Sequence, residues 1–344
     1  MSKIVYLLGA GASFGKRIDP EESTTDDVSL IKEGLPIITE INEEIEYLIG
    51  VINSMELDDG IYKLRGKKCA VDDLKEELIC GFEWMLEESS RHATIDTFAK
   101  KLYLKGDNEN YARLKFFLSS FFMLEQNLHP YDKRYDTFLA NILNKDLALP
   151  NNLFLMTWNY DVQLDIAFRE YSKIGLSMVC PTETRRFDTN SKVYKINGSA
   201  NFYGQNYQDT YVLSHNKFRN LLNTILIVLS IATKDGHYLD GITDLLFSWE
   251  KYKFDGISDA LYDKISDAEV LVVIGYTFPF FNREIDREIM SNMLNLNKIY
   301  IQDPKAKKVK ISLKSILPAE KYSSLLNDDD LIYDTSNFFL PPEL

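Results

Sequence analysis

The chain reads as an α/β protein built on a Rossmann-like parallel sheet with helical insertions. Two observations predict this. Apolar runs at residues 4–8, 153–156 and 270–274 have the length and composition of buried strands. Each passes directly into small or polar residues: Gly9-Ala10-Gly11-Ala12-Ser13, Thr157-Trp158-Asn159-Tyr160-Asp161 and Gly275-Tyr276-Thr277-Phe278-Pro279. Open α/β sheets build their ligand crevice at such junctions, at the carboxyl ends of the strands.

Between the first two strands the periodicity of residues 37–149 is helical. Val71, Leu74, Leu78 and Phe82 form one apolar stripe. Residues 95–104 and 114–124 read the same way, with a break expected at 127–130. The polar stretch 15–34 reads as a long loop over the crevice. Strand character returns at 153, at 193–196 before Asn197-Gly198-Ser199, and briefly at 211–213. Residues 218–232 and 257–265 read as helices. The last strands are 270–274 and 299–301, the latter before Asp303. The acidic run 328–330 reads as a solvated loop. These elements divide the chain into a sheet domain (1–45, 150–215 and 265–305), a helical insertion (46–149), a smaller one (216–264) and a C-terminal extension (306–344).

Composition narrows the function. With 344 residues, 45% hydrophobic and 26% charged, the chain can bury a large core. A net charge of -13 argues against unassisted nucleic-acid binding, which needs clustered cations. The one basic cluster, Lys305, Lys307, Lys308 and Lys310, reads as a solvated turn. Cys69, Cys80 and Cys180 are scattered with no CxxC pair, so neither a zinc ribbon nor a disulfide framework is expected. The N-terminal apolar run is too short for a signal peptide. No run approaches the ~20 residues that cross a bilayer. A cytoplasmic, metal-free protein is expected, with no direct nucleic-acid or membrane partner.

A strand followed by Gly-x-Gly lets backbone approach a pyrophosphate, or simply makes a tight turn. The dinucleotide fingerprint of dehydrogenases is incomplete, because Phe14 stands where its third glycine belongs. Asn159 and Asp161, two apart beyond a strand, face one side if extended. There they can hold ribose hydroxyls and a carboxamide, or bond their own backbone in a turn.

In their order, Gly9–Ser13, Gly34-Leu35-Pro36, Thr157–Asp161, Lys195–Ser199 and the stretch 268–277 resemble sirtuins. They are most similar to the sirtuin-like NAD-cleaving domains of bacterial antiphage systems. The resemblance implies that Gly9, Ala10, Gly11 and Ser13 line a pyrophosphate site. It implies that Asn159 contacts the nicotinamide ribose and the attacking water, and Asp161 the carboxamide. Gly275 and Thr277 would hold the phosphate and adenosine side, with residues 301–303, Asp303 among them, near the adenosine ribose. Pro36, Thr157, Gly198, Ser199 and Tyr276 lie within the same motifs and complete the implied NAD+-binding set.

The zinc-binding cysteines of the deacetylase branch are absent, which argues against deacylation. The family's catalytic His falls at Asn197, and an amide is not a general base. His215 is the nearest histidine in sequence. The resemblance implies a NAD+ glycohydrolase of antiphage defence, or a silent subunit binding NAD+ or ADP-ribose. It also implies a homo-oligomer and control by a translocase-type ATPase or another sensor protein.

Overall fold

The computed structural model describes residues 2–16, 32–37, 39–57, 61–64, 67–172, 175–176, 178–179, 191–202, 215–234, 237–238, 243–253, 261–317 and 324–344. The chain divides into two compact units. The first comprises Met1–Lys16, Tyr131–Ser199 and Leu246–Leu344, and the second Arg17–Pro130 and Ala200–Leu245.

The first unit carries a seven-stranded sheet. Its strands are β1 (Ile4–Leu8), β2 (Leu153–Thr157), β3 (Met178–Val179), β4 (Val193–Lys195), β5 (Val270–Ile274), β6 (Lys298–Gln302) and β7 (Leu331–Ile332). Their order is β7-β6-β5-β1-β2-β4-β3, and every neighbouring pair is parallel. From β1 the chain moves outward to β2, then crosses back to β5 on the other side of β1. That reversal is a Rossmann-like switch point, where open sheets part to make a crevice.

The apolar runs are continuous because the sheet is covered on both faces. Val5, Leu7, Met156 and Val273 enter one buried cluster, while Ile4, Tyr6, Leu155 and Val272 enter the other. The register sets the functional edge. Leu8 pairs with Thr157 and with Ile274, Thr157 with Lys195, and Ile274 with Gln302. The next residues, Gly9, Trp158, Gly275, Ile196 and Asp303, therefore leave the sheet along one edge.

The domain boundaries differ from the sequence reading in five places. Residues 131–149 belong with the sheet, because Tyr135, Phe138, Leu139 and Ile142 of the helix Lys133–Ile142 pack beside Tyr6. Residues 306–344 are integral to it as well. β7 extends the sheet, and Gln302 donates to the Asp334 and Asn337 carbonyls at 2.7 and 2.6 Å and accepts from the Phe339 N–H at 2.9 Å. Residues 17–45 and 200–215 fall in the second unit with most of both insertions, and residues 246–264 fall in the first.

The second unit holds the helices Ile41–Ser54, Val71–Ser90, Ile95–Lys105, Asn108–Leu128 and His215–Ala232. The Val71, Leu74, Leu78 and Phe82 stripe is buried, and Phe82 meets Phe117 edge-on at 5.7 Å. A β-hairpin pairing Ile61–Leu64 with Lys67–Ala70 interrupts the helical reading of this region. The strand expected at 211–213, Cys180, residues 17–31 of the expected crevice loop and residues 257–260 lie outside the described residues. The basic cluster begins the helix Ala306–Lys314. The acidic run is not wholly solvated: Asp330 is buried and pairs with Lys298 at 2.7 Å.

Among the described residues, no helix is long and apolar enough to cross a membrane.

Candidate functional site

The two glycine loops that flank the switch point lock into each other. Gly9 donates its N–H to the Ile274 carbonyl and Gly11 to the Gly275 carbonyl, both at 3.0 Å. A Cβ on Gly9 would lie 2.6 Å from the Gly275 oxygen, and one on Gly275 would lie 2.4 Å from the Gly11 carbonyl carbon. Gly275 also sits at a φ of 59°, which favours glycine. The close approach here is backbone to backbone.

The turn of residues 10–12 closes with Ala12 N–H on the Gly9 carbonyl and Ser13 N–H on the Ala10 carbonyl. The Gly9, Gly11, Ala12 and Ser13 amides thus donate within the protein. A pyrophosphate bound at this loop would have to be held by other groups.

Asn159 is buried behind the same loop. Its side-chain nitrogen donates to the Gly9 carbonyl at 2.8 Å and to Ser13 Oγ at 2.9 Å, and its backbone N–H donates to Thr157 Oγ1 at 3.0 Å. Both amide hydrogens are consumed. Among the described residues Asn159 Oδ1 accepts no hydrogen bond, and it is not sealed from the surface. The atom left for a ligand is therefore an acceptor.

Ser13 shares a hydrogen bond with the Tyr135 hydroxyl at 3.0 Å. Burial, reinforced by the nearby charge of Asp161, pushes the Tyr135 phenol well above its usual range. Gln163 donates to the Ser13 carbonyl at 2.9 Å and accepts from the Asp132 N–H at 2.6 Å. Arg134 pairs with Asp132 at 2.5 Å and donates to the Gly11 carbonyl at 2.8 Å. Loop 9–13 is thus held by Arg134 and Tyr135 of the helix Lys133–Ile142, by Asn159 in the turn after β2 and by Gln163 at the start of the next helix.

Asp161 does not mirror Asn159. Its carboxylate accepts the Gln163 N–H at 3.0 Å at the start of the helix Gln163–Arg169, while the buried Lys195 ammonium bonds its carbonyl oxygen. Asp161 makes the backbone-bonding turn, and one of its carboxylate oxygens remains beyond that bond.

Asn197, just past β4, donates weakly to the Trp158 carbonyl at 3.4 Å. Its Oδ1 is buried and has no hydrogen-bond partner among the described residues. Gly198 follows at a φ of 69°, and Ser199 Oγ donates to the Tyr160 carbonyl at 3.3 Å. Asp303 accepts the Lys305 N–H at 2.6 Å. Ala10 and Thr277 are exposed at the loop tips. Pro36 is buried in the second unit, and His215 begins a helix there.

Tyr276 is buried and stacks on Trp158 at 5.6 Å. Phe278 adopts a left-handed φ of 54°, an outlier for a bulky residue, and its ring meets Tyr276 at 4.8 Å. Such strain persists where surrounding contacts enforce it, often at binding loops.

The sequence reading missed Arg134, Tyr135, Gln163 and Asp286. Only Asp286 left a sequence signal. It interrupts the buried stripe Ile285, Ile289 and Met290 of the helix Arg283–Asn292, and an acid on such a stripe is rare.

The metal-ligating spacing found among the described residues is Glu44, Glu125 and His129 of the second unit, whose ligand atoms lie within 4.8 Å of one another. The Lys32 ammonium, 2.6 Å from Glu44 and 3.8 Å from Glu125, already supplies a cation there.

Comparison of the chain with protein-family models and with curated proteins finds no match.

Proposed function

We propose that the chain is a sirtuin-like NAD+ glycohydrolase that releases nicotinamide and depletes NAD+ in antiphage defence. It acts in the cytoplasm as a homo-oligomer, under the control of a translocase-type ATPase or another sensor protein. One observation carries the reading: Asn159, at the switch point, spends both amide hydrogens inside the fold and keeps Oδ1 for a ligand. A hydrogen-bond acceptor at that place suits a ribose hydroxyl or an attacking water.

The chemistry asks little acid–base work of the protein. The bond between ribose and nicotinamide breaks with its electron pair passing to the ring nitrogen, which loses its positive charge. The sugar passes through an oxocarbenium-like state, as in glycoside hydrolysis. Nicotinamide leaves neutral, so no general acid is required. Oriented acceptors such as Asn159 Oδ1 and the Asp161 carboxylate favour the developing positive charge, and positioning supplies the rest.

A second reading has its own observation. Asn197 occupies the position of the family's base, and its buried Oδ1 has no partner among the described residues. A buried acceptor of that kind calls for a donor from a ligand or water. This favours a subunit that binds NAD+ or ADP-ribose without cleaving it. Nicotinamide release from NAD+ by the purified protein, alone and with candidate partner proteins, tests both. Release in either condition supports the hydrolase. Binding of ADP-ribose without release supports the silent subunit, and neither binding nor release rejects the site.

A further inference from the structure

Asp286 has no exposed surface and no ion-pair partner among the contacts the structure gives it. Both carboxyl oxygens accept from the Tyr276 hydroxyl, at 3.0 and 2.9 Å, and Asn282 donates to that hydroxyl at 3.1 Å. The Trp158 indole N–H lies close enough to favour the carboxylate form, without completing a well-formed hydrogen bond. Burial outweighs these contacts and raises the Asp286 carboxyl well above its ordinary range. Tyr276 is likewise raised, by burial and then by Asp286. An apolar residue would fill this place at less cost, since burying an acid without a cation is unfavourable.

The cost has a geometric counterpart. Tyr276 belongs to the loop after β5 and Trp158 to the loop after β2, and their rings lie nearly parallel, 14° apart. The Tyr276 Cα and Cβ lie 2.7 Å from where a Gly9 Cβ would stand. The Gly9 carbonyl in turn receives the Asn159 amide. Contact thus runs without a break from Asp286 through Tyr276 and Gly9 to Asn159, and Trp158 is covalently next to Asn159.

We infer that Asp286 is a positioning residue: through Tyr276 and Trp158 it fixes the loops after β1, β2 and β5 against one another and so presets the ligand-facing oxygen of Asn159. The inference rests on the site proposed above but not on the reaction.

The test uses the full chain without ligand. Amide hydrogen exchange at residues 9–13 and 157–161 is compared in wild type, Asp286→Ala, Asp286→Asn, Tyr276→Phe and Tyr300→Phe. The last removes a sheet hydroxyl that bonds Glu343 and serves as a control. Exchange is normalised to the global stability of each variant. Asp286→Ala and Tyr276→Phe are expected to speed exchange at both segments by roughly tenfold or more, the scale on which a local opening separates from global unfolding. Asp286→Asn, whose amide oxygen can still accept from Tyr276, restores slow exchange, and Tyr300→Phe leaves it unchanged. Tyr276→Phe keeps the ring and carries the test if Asp286→Ala does not fold. ADP-ribose affinity is measured in parallel and is expected to fall in the same two variants. Wild-type exchange at both segments in Tyr276→Phe overturns the inference, whether or not ADP-ribose binds. Changed exchange in a protein that binds no ADP-ribose upholds the positioning role and removes the nucleotide reading instead.

Discussion

Gly11 and Gly275 require each other. The Gly11 N–H meets the Gly275 carbonyl at 3.0 Å, and a Cβ on either residue would stand 2.8 Å or less from the other's backbone. Because each faces backbone, neither can give way as a flexible side chain would. Gly275 is also left-handed, a conformation that costs an L-residue roughly 1–2 kcal/mol before any clash. Gly275→Ala is therefore expected to destabilise the protein by about 3 kcal/mol or more. Gly50→Ala is the contrast. Gly50 lies within the helix Ile41–Ser54 with nothing within 4 Å of its would-be Cβ, so alanine should stabilise by about 0.5–1 kcal/mol. Urea midpoints of the two variants check both signs.

The same pair shows what was legible in the sequence. Apolar runs ending in glycine or small polar residues marked β1, β2 and β5 and their shared edge, because a strand buried on both faces has to be uniformly apolar. Why the glycines are there was not legible. Sequence offered a phosphate or a tight turn, and the structure supplies the opposing loop, which arrives more than 250 residues later. Tyr135 and Gln163 escaped notice because only the pairing of Leu8 with Thr157 brings their elements beneath Ser13. β3 and β7 span two residues each, too few to show any period.

Tyr135→Phe isolates one hydroxyl under the candidate site. The phenol is held protonated far above neutrality, so wild type carries the Ser13 contact throughout the working pH range. Removing it should cost about 1 kcal/mol, one buried hydrogen bond, and the loss should be the same at every pH between roughly 6 and 9. Denaturation across that range is the check. A loss that grows or vanishes with pH would mean that another group titrates against Ser13.

Asp96 gives a pH dependence of stability in the second unit. Burial raises its carboxyl from 3.8 to about 6. The folded state therefore holds the proton more tightly than the unfolded chain. The stability this contributes is complete below about 3.8 and is lost as pH rises through about 6. Asp96→Asn removes the ionisable group, so its stability should be flatter between those limits and should exceed that of wild type above them. Urea denaturation of both proteins at pH steps across the window reads the difference directly.

Asn159 and Asn197 decide between the two functional readings. In the hydrolase, Asn159 Oδ1 orients the ribose or water in the transition state while its nitrogen is anchored to Gly9 and Ser13. Asn159→Ala should then lower turnover by about 10²–10³, the usual loss of one preorganised polar contact. Asn197 has a weaker anchor, a 3.4 Å bond to the Trp158 carbonyl, and a partnerless buried oxygen. Its alanine variant should cost less, about 1–3 kcal/mol of ligand binding. Asn197→His places a base with a pKa near ~6.5 where the resembled family carries one. If the site is a hydrolase working without its base, nicotinamide release should rise, and it should do so as pH climbs through that value and the imidazole becomes neutral. If the site only binds, release stays at background while ADP-ribose affinity survives. Full turnover in Asn159→Ala would remove the proposed active site, because the reading rests on that side-chain oxygen and its anchor to the glycine loop.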